Sequence, residues 1–142
     1  MQFGVGLVNP KFPQNVGAVI RATYAFGGQY VYIQGLRYQH SKTDTAKATR
    51  HIPVSNVENI LNVVPIGAEI VCCEINDKSI SLPRFHHPKS AFYVFGPEDS
   101  SIPDSILNQA KYVVTIPTTI CLNLAGAVNV VLYDRISKNK SK

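Results

Sequence analysis

The chain has 142 residues and a formal net charge of +5, with 45% hydrophobic and 16% charged residues. That length fits one domain able to bury a core without staples, and that composition excludes a disordered chain. No window offers the roughly 18 apolar residues of a membrane span, and the opening MQFGVGLVNP has neither the basic region nor the cleavage site of a secretory signal.

Apolar runs rich in Val, Ile and Tyr recur along the chain: FGVGLV (3–8), YVYIQ (30–34), EIVCCEI (69–75), AFYVFG (91–96) and YVVTIP (112–117). Continuous apolar strands suit a parallel sheet covered on both faces. Helical patterns lie between them. Asn15–Phe26 sets Val16, Ile20, Ala22, Tyr24 and Ala25 among polar positions. SNVENILNVV (55–64) opens on Ser55 with Glu58 three residues on, which reads as a capping box. SIPDSILNQA (101–110) carries a proline near its start, and LNLAGAVNVVLYDRIS (122–137) is the longest helical stretch. Strands alternating with helices predict an α/β fold, a mainly parallel sheet flanked by helices, in a single domain spanning 1–142.

Three cysteines, Cys72 and Cys73 adjacent in an apolar run and Cys121 alone, form no spaced framework. They point to reduced thiols in a cytoplasmic compartment, with the adjacent pair in the core. No metal-ligand spacing appears, and His86-His87 lie in a proline-flanked loop without a partnering acid or cysteine. Neither a dinucleotide glycine fingerprint nor a nucleophile elbow is present.

In open parallel sheets, ligands bind beyond the carboxyl ends of strands. Three segments follow strand ends here. In the first, Pro10 and Pro13 stiffen a passage to Asn15, which can cap the helix or bond a neighbouring loop. Gly17 and Ala18 allow close approach, and Arg21 follows about one turn on, near the helix start, placed for a phosphate or for an ordinary surface ion pair. In the second, the strand stops at Gly96, turns through Pro97 and offers Glu98 and Asp99, for helix capping or for binding loops together around a ligand. In the third, Ile116-Pro117 ends a strand, a short polar loop follows, and Leu122-Asn123 opens a helix. Exposed backbone groups of 116–122 could read an adenine edge. The basic stretch 36–51 holds Arg37, His40, Lys42, Lys47, Arg50 and His51 against one acid, Asp44, and reads either as a solvated loop or as a surface for a polyanion.

Together the three segments resemble the SpoU (TrmH-like) branch of the SPOUT RNA methyltransferases. The first family motif reads here as Asn15, Gly17, Arg21, Phe26 and Gly27; the second as Phe95-Gly96-Pro97-Glu98; the third as Ile116-Pro117 with Leu122-Asn123. The chain departs from the pattern in a loop about three residues shorter before Leu122, in Cys121 where a serine is usual, and in Asp99-Ser100-Ser101 where a glycine follows the glutamate. The resemblance implies a deep trefoil knot in the C-terminal half and a homodimer with active sites near the subunit boundary. It implies S-adenosyl-L-methionine as cofactor, held by Glu74, Ile75, Phe95, Gly96, Glu98, Ile116, Pro117, Cys121 and Leu122. It implies methylation of a ribose 2′-hydroxyl in tRNA or rRNA, with Arg21, Asn15 and Asn123 as the catalytic set and no metal. Without an added RNA-binding domain, the RNA surface falls to Arg37, His40, Lys42, Lys47 and Arg50. The alternatives are a knotted RNA-binding or assembly protein without catalysis, and a base methyltransferase of the same superfamily.

Overall fold

A computed structural model describes residues 2–40 and 51–139. Seven strands, β1 (Gln2–Val8), β2 (Val31–Gln34), β3 (Val54–Val57), β4 (Glu69–Cys73), β5 (Ile80–Ser81), β6 (Ser90–Phe95) and β7 (Tyr112–Thr115), form one sheet in the order β3-β2-β1-β6-β4-β7-β5. Every pairing is parallel. Among the described residues, three α-helices accompany them: α1 (Pro13–Ala25), α2 (Asp104–Leu107) and α3 (Leu124–Asn139).

The strand residues alternate between two cores, as a period of two requires. Ala91, Tyr93 and Phe95 of β6 join Val5 and Leu7 of β1 under α1 and α3. Phe92 and Val94 face the opposite way, toward Ile102, Ile106 and Ile60. On α3, Leu124, Val128, Val131, Leu132 and Arg135 are buried, a spacing that lays one helical stripe on the sheet. On α1, Val16, Val19, Ile20 and Thr23 do the same. Burial of each such aliphatic side chain contributes about 1.5–3 kcal/mol.

This alternation positions the site. Strands β1 and β6 are neighbours, but β1 leads to α1 on one face while β6 leads to α2 on the other. Their carboxyl ends therefore diverge and open a crevice between them, the usual place for a ligand in an open parallel sheet.

Two sequence expectations fail. Residues 55–64 form no helix: Val54–Val57 pairs with β2 as the edge strand β3, and Ile60–Val63 is a short 3₁₀ turn. Long-range partners prevail over the local capping pattern. Tyr38 Oη donates to Asn56 Oδ1, the Asn56 amide donates to the Gly35 carbonyl, and Ile60 N–H donates to Gln34 Oε1. The cap is Asn59, which accepts from Leu61 N–H, not Ser55. The 101–110 helix shrinks to Asp104–Leu107. Its proposed first turn is diverted, because Ile102 N–H donates to Glu74, and its end is cut short where Lys111 N–H joins Ile70 in the sheet.

The far half of α3 is held by polar contacts to the 82–89 segment. Arg135, 3% exposed, donates to the carbonyls of Pro88 and Lys89 and to Tyr93 Oη. Lys138 donates to the carbonyls of Leu82 and Phe85. His87 bridges Tyr93 Oη and Asp134 Oδ2, each at 2.7 Å. Burial pushes this imidazole below its ordinary value. It is therefore neutral: Nε2–H donates to Asp134, and Nδ1 accepts from the Tyr93 hydroxyl. Among the described residues, no helix is long and apolar enough to cross a membrane, and no group of three or more His, Cys, Asp or Glu could hold a metal ion.

Candidate functional site

The loops after β1, β4, β6 and β7 surround a cleft of about 530 Å³. Its lining includes ten residues singled out in the sequence: Asn15, Glu74, Ile75, Phe95, Gly96, Glu98, Ile116, Cys121, Leu122 and Asn123. Three acids stitch the 96–102 loop to separate segments. Glu98 accepts from Lys11 N–H at 2.7 Å, from Phe12 N–H at 3.3 Å and from the Asn15 amide at 2.9 Å. Glu74 accepts from Ile102 N–H at 2.8 Å. Asp99 takes two hydrogen bonds from Arg37, each at 3.0 Å, and Arg37 also donates to the Asn9 carbonyl.

Burial pushes the Glu98 carboxyl up, but the Asn15 amide and the N–H groups of Lys11, Glu98 and Phe12 outweigh it and hold the group below its ordinary value. Glu98 is thus an anion that fixes loops. Asp99 is likewise held down, chiefly by the Arg37 hydrogen bonds. Gly96 suits this geometry, since a Cβ there would crowd the Ile102 nitrogen that donates to Glu74, at 3.1 Å.

Asn123 Oδ1 accepts from Gly126 N–H at 2.7 Å and so caps α3. Asn15 does not cap α1. Phe12 holds that position, with Pro13 in the first turn, which frees the Asn15 amide for Glu98. Cys121 is exposed on the cleft. Cys72 is buried and Cys73 half-buried; burial pushes both thiols up to about 12, helped by neighbouring Glu74.

Two of the sequence-derived site residues stand off this cleft. Pro117 lines an adjacent groove with Phe26, Leu82, Val130 and Tyr133. Arg21 is not near the helix start, because α1 begins at Pro13 and Arg21 is its ninth residue. Six residues beyond Asn15, it projects about 240° around the helix from it. It is exposed and absent from the cleft lining. Of the basic stretch, Arg37 is engaged with Asp99, and His40 ends a 3₁₀ turn. Lys42, Lys47 and Arg50 lie outside the described residues. The site residues named from the sequence omit Phe12, Cys73, Ser100, Thr115, Leu124 and Ala127 in the lining, whereas Thr118 falls in the 116–122 loop. Most of these abut the motifs. Phe12 sits between Pro10 and Pro13 with no pattern to mark it.

A family model described as the SpoU rRNA methylase family matches residues 2–133. The chain belongs to that family. No curated protein matches the SpoU chain in sequence. Among solved structures, the rRNA methyltransferase from Sinorhizobium meliloti aligns with a TM-score of 0.83 at 22% identity, over 97% of this chain and 56% of that one. AviRb from Streptomyces viridochromogenes, a SpoU methyltransferase in complex with AdoMet, aligns with a TM-score of 0.80 at 17% identity, over 99% and 62%. A structure described by the 2-OH methylation of C/U34 on tRNA aligns with a TM-score of 0.84 at 22% identity, over 99% and 98%. At these identities the likeness speaks for the fold. The SpoU chain spans little more than half the length of the Sinorhizobium protein.

Proposed function

We propose that this chain is an S-adenosylmethionine-dependent methyltransferase that modifies a ribose 2′-hydroxyl of tRNA or rRNA in the cytoplasm, working as a homodimer. The observation that carries this reading is that residues of all three family motifs line one cleft: Asn15 of the first, Phe95–Glu98 of the second, and Ile116, Leu122 and Asn123 of the third. The ribose assignment is supported by the relative described for 2-OH methylation, which matches end to end. The trefoil knot belongs to the same reading.

The cleft suits S-adenosylmethionine in size and chemistry. Its volume lies in the range of small-molecule sites, and Phe95, Ile116, Leu122 and Leu124 supply apolar wall. Gly96 lets backbone come close. Both carboxylates in the lining, Glu74 and Glu98, are occupied with loop N–H groups, which leaves recognition mainly to the backbone. When bound, the cofactor supplies an electrophilic methyl group.

The chain's own residues then have to align and activate a hydroxyl. Arg is effectively never deprotonated, so Arg21 acts as a fixed cation that stabilises developing alkoxide charge or orients the adjacent phosphate. Phosphate or water takes the proton. Because Arg21 stands off the cleft of its own chain, a second copy supplies it in this reading. Asn15 and Asn123 position the ribose through the loops they hold.

The test is mass spectrometry of nucleosides from RNA of a strain lacking this protein, beside its parent. Loss of one 2′-O-methyl nucleoside is expected. Loss of a base-methylated nucleoside instead would overturn the ribose assignment, and an unchanged nucleoside profile would overturn methyl transfer.

A further inference from the structure

We infer that Phe12 is the platform on which the base of the target nucleotide stacks, with the Lys11 ammonium beside it as a phosphate anchor; this rests on the RNA reading above. Phe12 lines the cleft yet keeps 40% of its surface exposed. A large apolar ring is normally buried. This one is not exposed through looseness. Pro10 and Pro13 on either side are buried, and the N–H groups of Lys11 and Phe12 both donate to the Glu98 carboxylate. The tip is therefore rigid, and it holds the ring out at the rim.

The staple to Glu98 uses only backbone donors at these two positions, so any residue but proline would serve it. What the ring and the ammonium add is a separate property. Lys11 Nζ lies over the Phe12 ring, 5.3 Å from its centroid, so the cation covers one face of the ring and the base would take the other. That pairing matches a nucleotide, whose base stacks on an aromatic side chain while its phosphate meets a cation. Position agrees as well. The residues assigned to the cofactor come from the ends of β4, β6 and β7, whereas Phe12 comes from the β1–α1 passage together with Asn15, the side assigned to the ribose.

The test uses the full chain, total tRNA from a strain lacking the protein, and tritiated S-adenosylmethionine. Phe12→Ala should raise KM for tRNA about 10- to 100-fold, the range for losing one stacked base. Phe12→Trp should restore it and Phe12→Leu should not, a comparison that stands even where Phe12→Ala fails to fold. Calorimetric affinity for S-adenosylhomocysteine should be unchanged in all of them. Lys11→Ala should lower the slope of log affinity against log salt by about 0.7–0.9. An unchanged KM for tRNA in Phe12→Leu would overturn the inference. So would loss of S-adenosylhomocysteine affinity, which would make the ring a cofactor wall, or a lighter species by sedimentation with KM unaltered, which would make it a subunit contact. Each of these leaves methyl transfer by the wild type intact, whereas a wild type that transfers no methyl to RNA defeats the functional reading itself.

Discussion

The Asn15 side-chain amide donates to Glu98 Oε2 at 2.9 Å and joins the first turn of α1 to the loop after β6 across the crevice between β1 and β6. With Lys11 and Phe12 on the same carboxylate, Glu98 is the knot of contacts that shapes the cleft. Glu98→Ala leaves three donors without this acceptor and should lower stability by about 1–3 kcal/mol, measured by urea unfolding. Affinity for S-adenosylhomocysteine should fall with it. Unaltered stability would show that the loops hold without the carboxylate.

The same group sets a pH response. Its folded value lies below the ordinary 4.5. Stability from a depressed carboxyl is present above the unfolded value and is lost as pH falls through the folded one. From about pH 4.5 downward, Glu98→Gln should therefore lose less stability than wild type. Parallel pH profiles for the two proteins would rule out this contribution.

His87 gives a second, higher window. Burial holds it below its ordinary 6.5, with Arg135 and Lys138 acting the same way and Asp134 opposing. A histidine depressed by folding binds protons more readily when unfolded, so stability is full above 6.5 and falls as pH drops from there toward the folded value. The melting temperature should decline as the pH falls below about 6.5, and less so in His87→Gln. A variant that tracks wild type throughout would place the decline elsewhere.

Cysteine chemistry probes the cleft directly. The thiolate is the reactive form, and burial raises the Cys72 and Cys73 thiols to about 12 while Cys121 is exposed on the cleft. Iodoacetamide followed by peptide mass mapping should label Cys121 first, and S-adenosylhomocysteine should slow that labelling several-fold. Equal rates with and without the nucleoside would put its site away from Cys121.

Much of this fold was legible because five strands are continuous apolar runs, whose burial on two faces needs no partner to be recognised. Strand β3 was not. Ser55 and Asn56 are exposed on it, and it exists through pairing with β2 and through Tyr38 and Gln34, more than 15 residues earlier in the chain. The short β5 offers only Ile80 and Ser81. In the site, strand-end residues such as Phe95, Glu98 and Ile116 were legible because a parallel sheet sends its carboxyl ends to one rim. The depth of Arg21 in α1 was not, since a start at Pro13 rather than Asn15 makes it the ninth residue of the helix. Nor was the Arg37–Asp99 pair, which joins residues 62 apart.

Arg21 carries the catalytic proposal. Arg21→Ala should reduce kcat by about 10²- to 10³-fold, the usual effect of removing a group that stabilises developing oxyanion charge. Affinity for S-adenosylhomocysteine should be unchanged, because in this reading Arg21 acts on the ribose hydroxyl or its phosphate and not on the nucleoside. Co-expressing Arg21→Ala with a Gly96→Val chain, whose added side chain would displace Ile102 at the cleft edge and is first shown to have lost S-adenosylhomocysteine binding, should restore activity, since one mixed site would then be intact. An inactive mixture would contradict assembly of the site from two copies.

A crystal structure of the full chain with S-adenosylhomocysteine tests the convergence of the three loops most directly. The expected result is the nucleoside in the cleft between Phe95–Glu98 and Ile116–Asn123, with Arg21 of a second copy facing its sulfur. A nucleoside bound outside that cleft, or a sulfur beyond the reach of Arg21 from either copy, would contradict it.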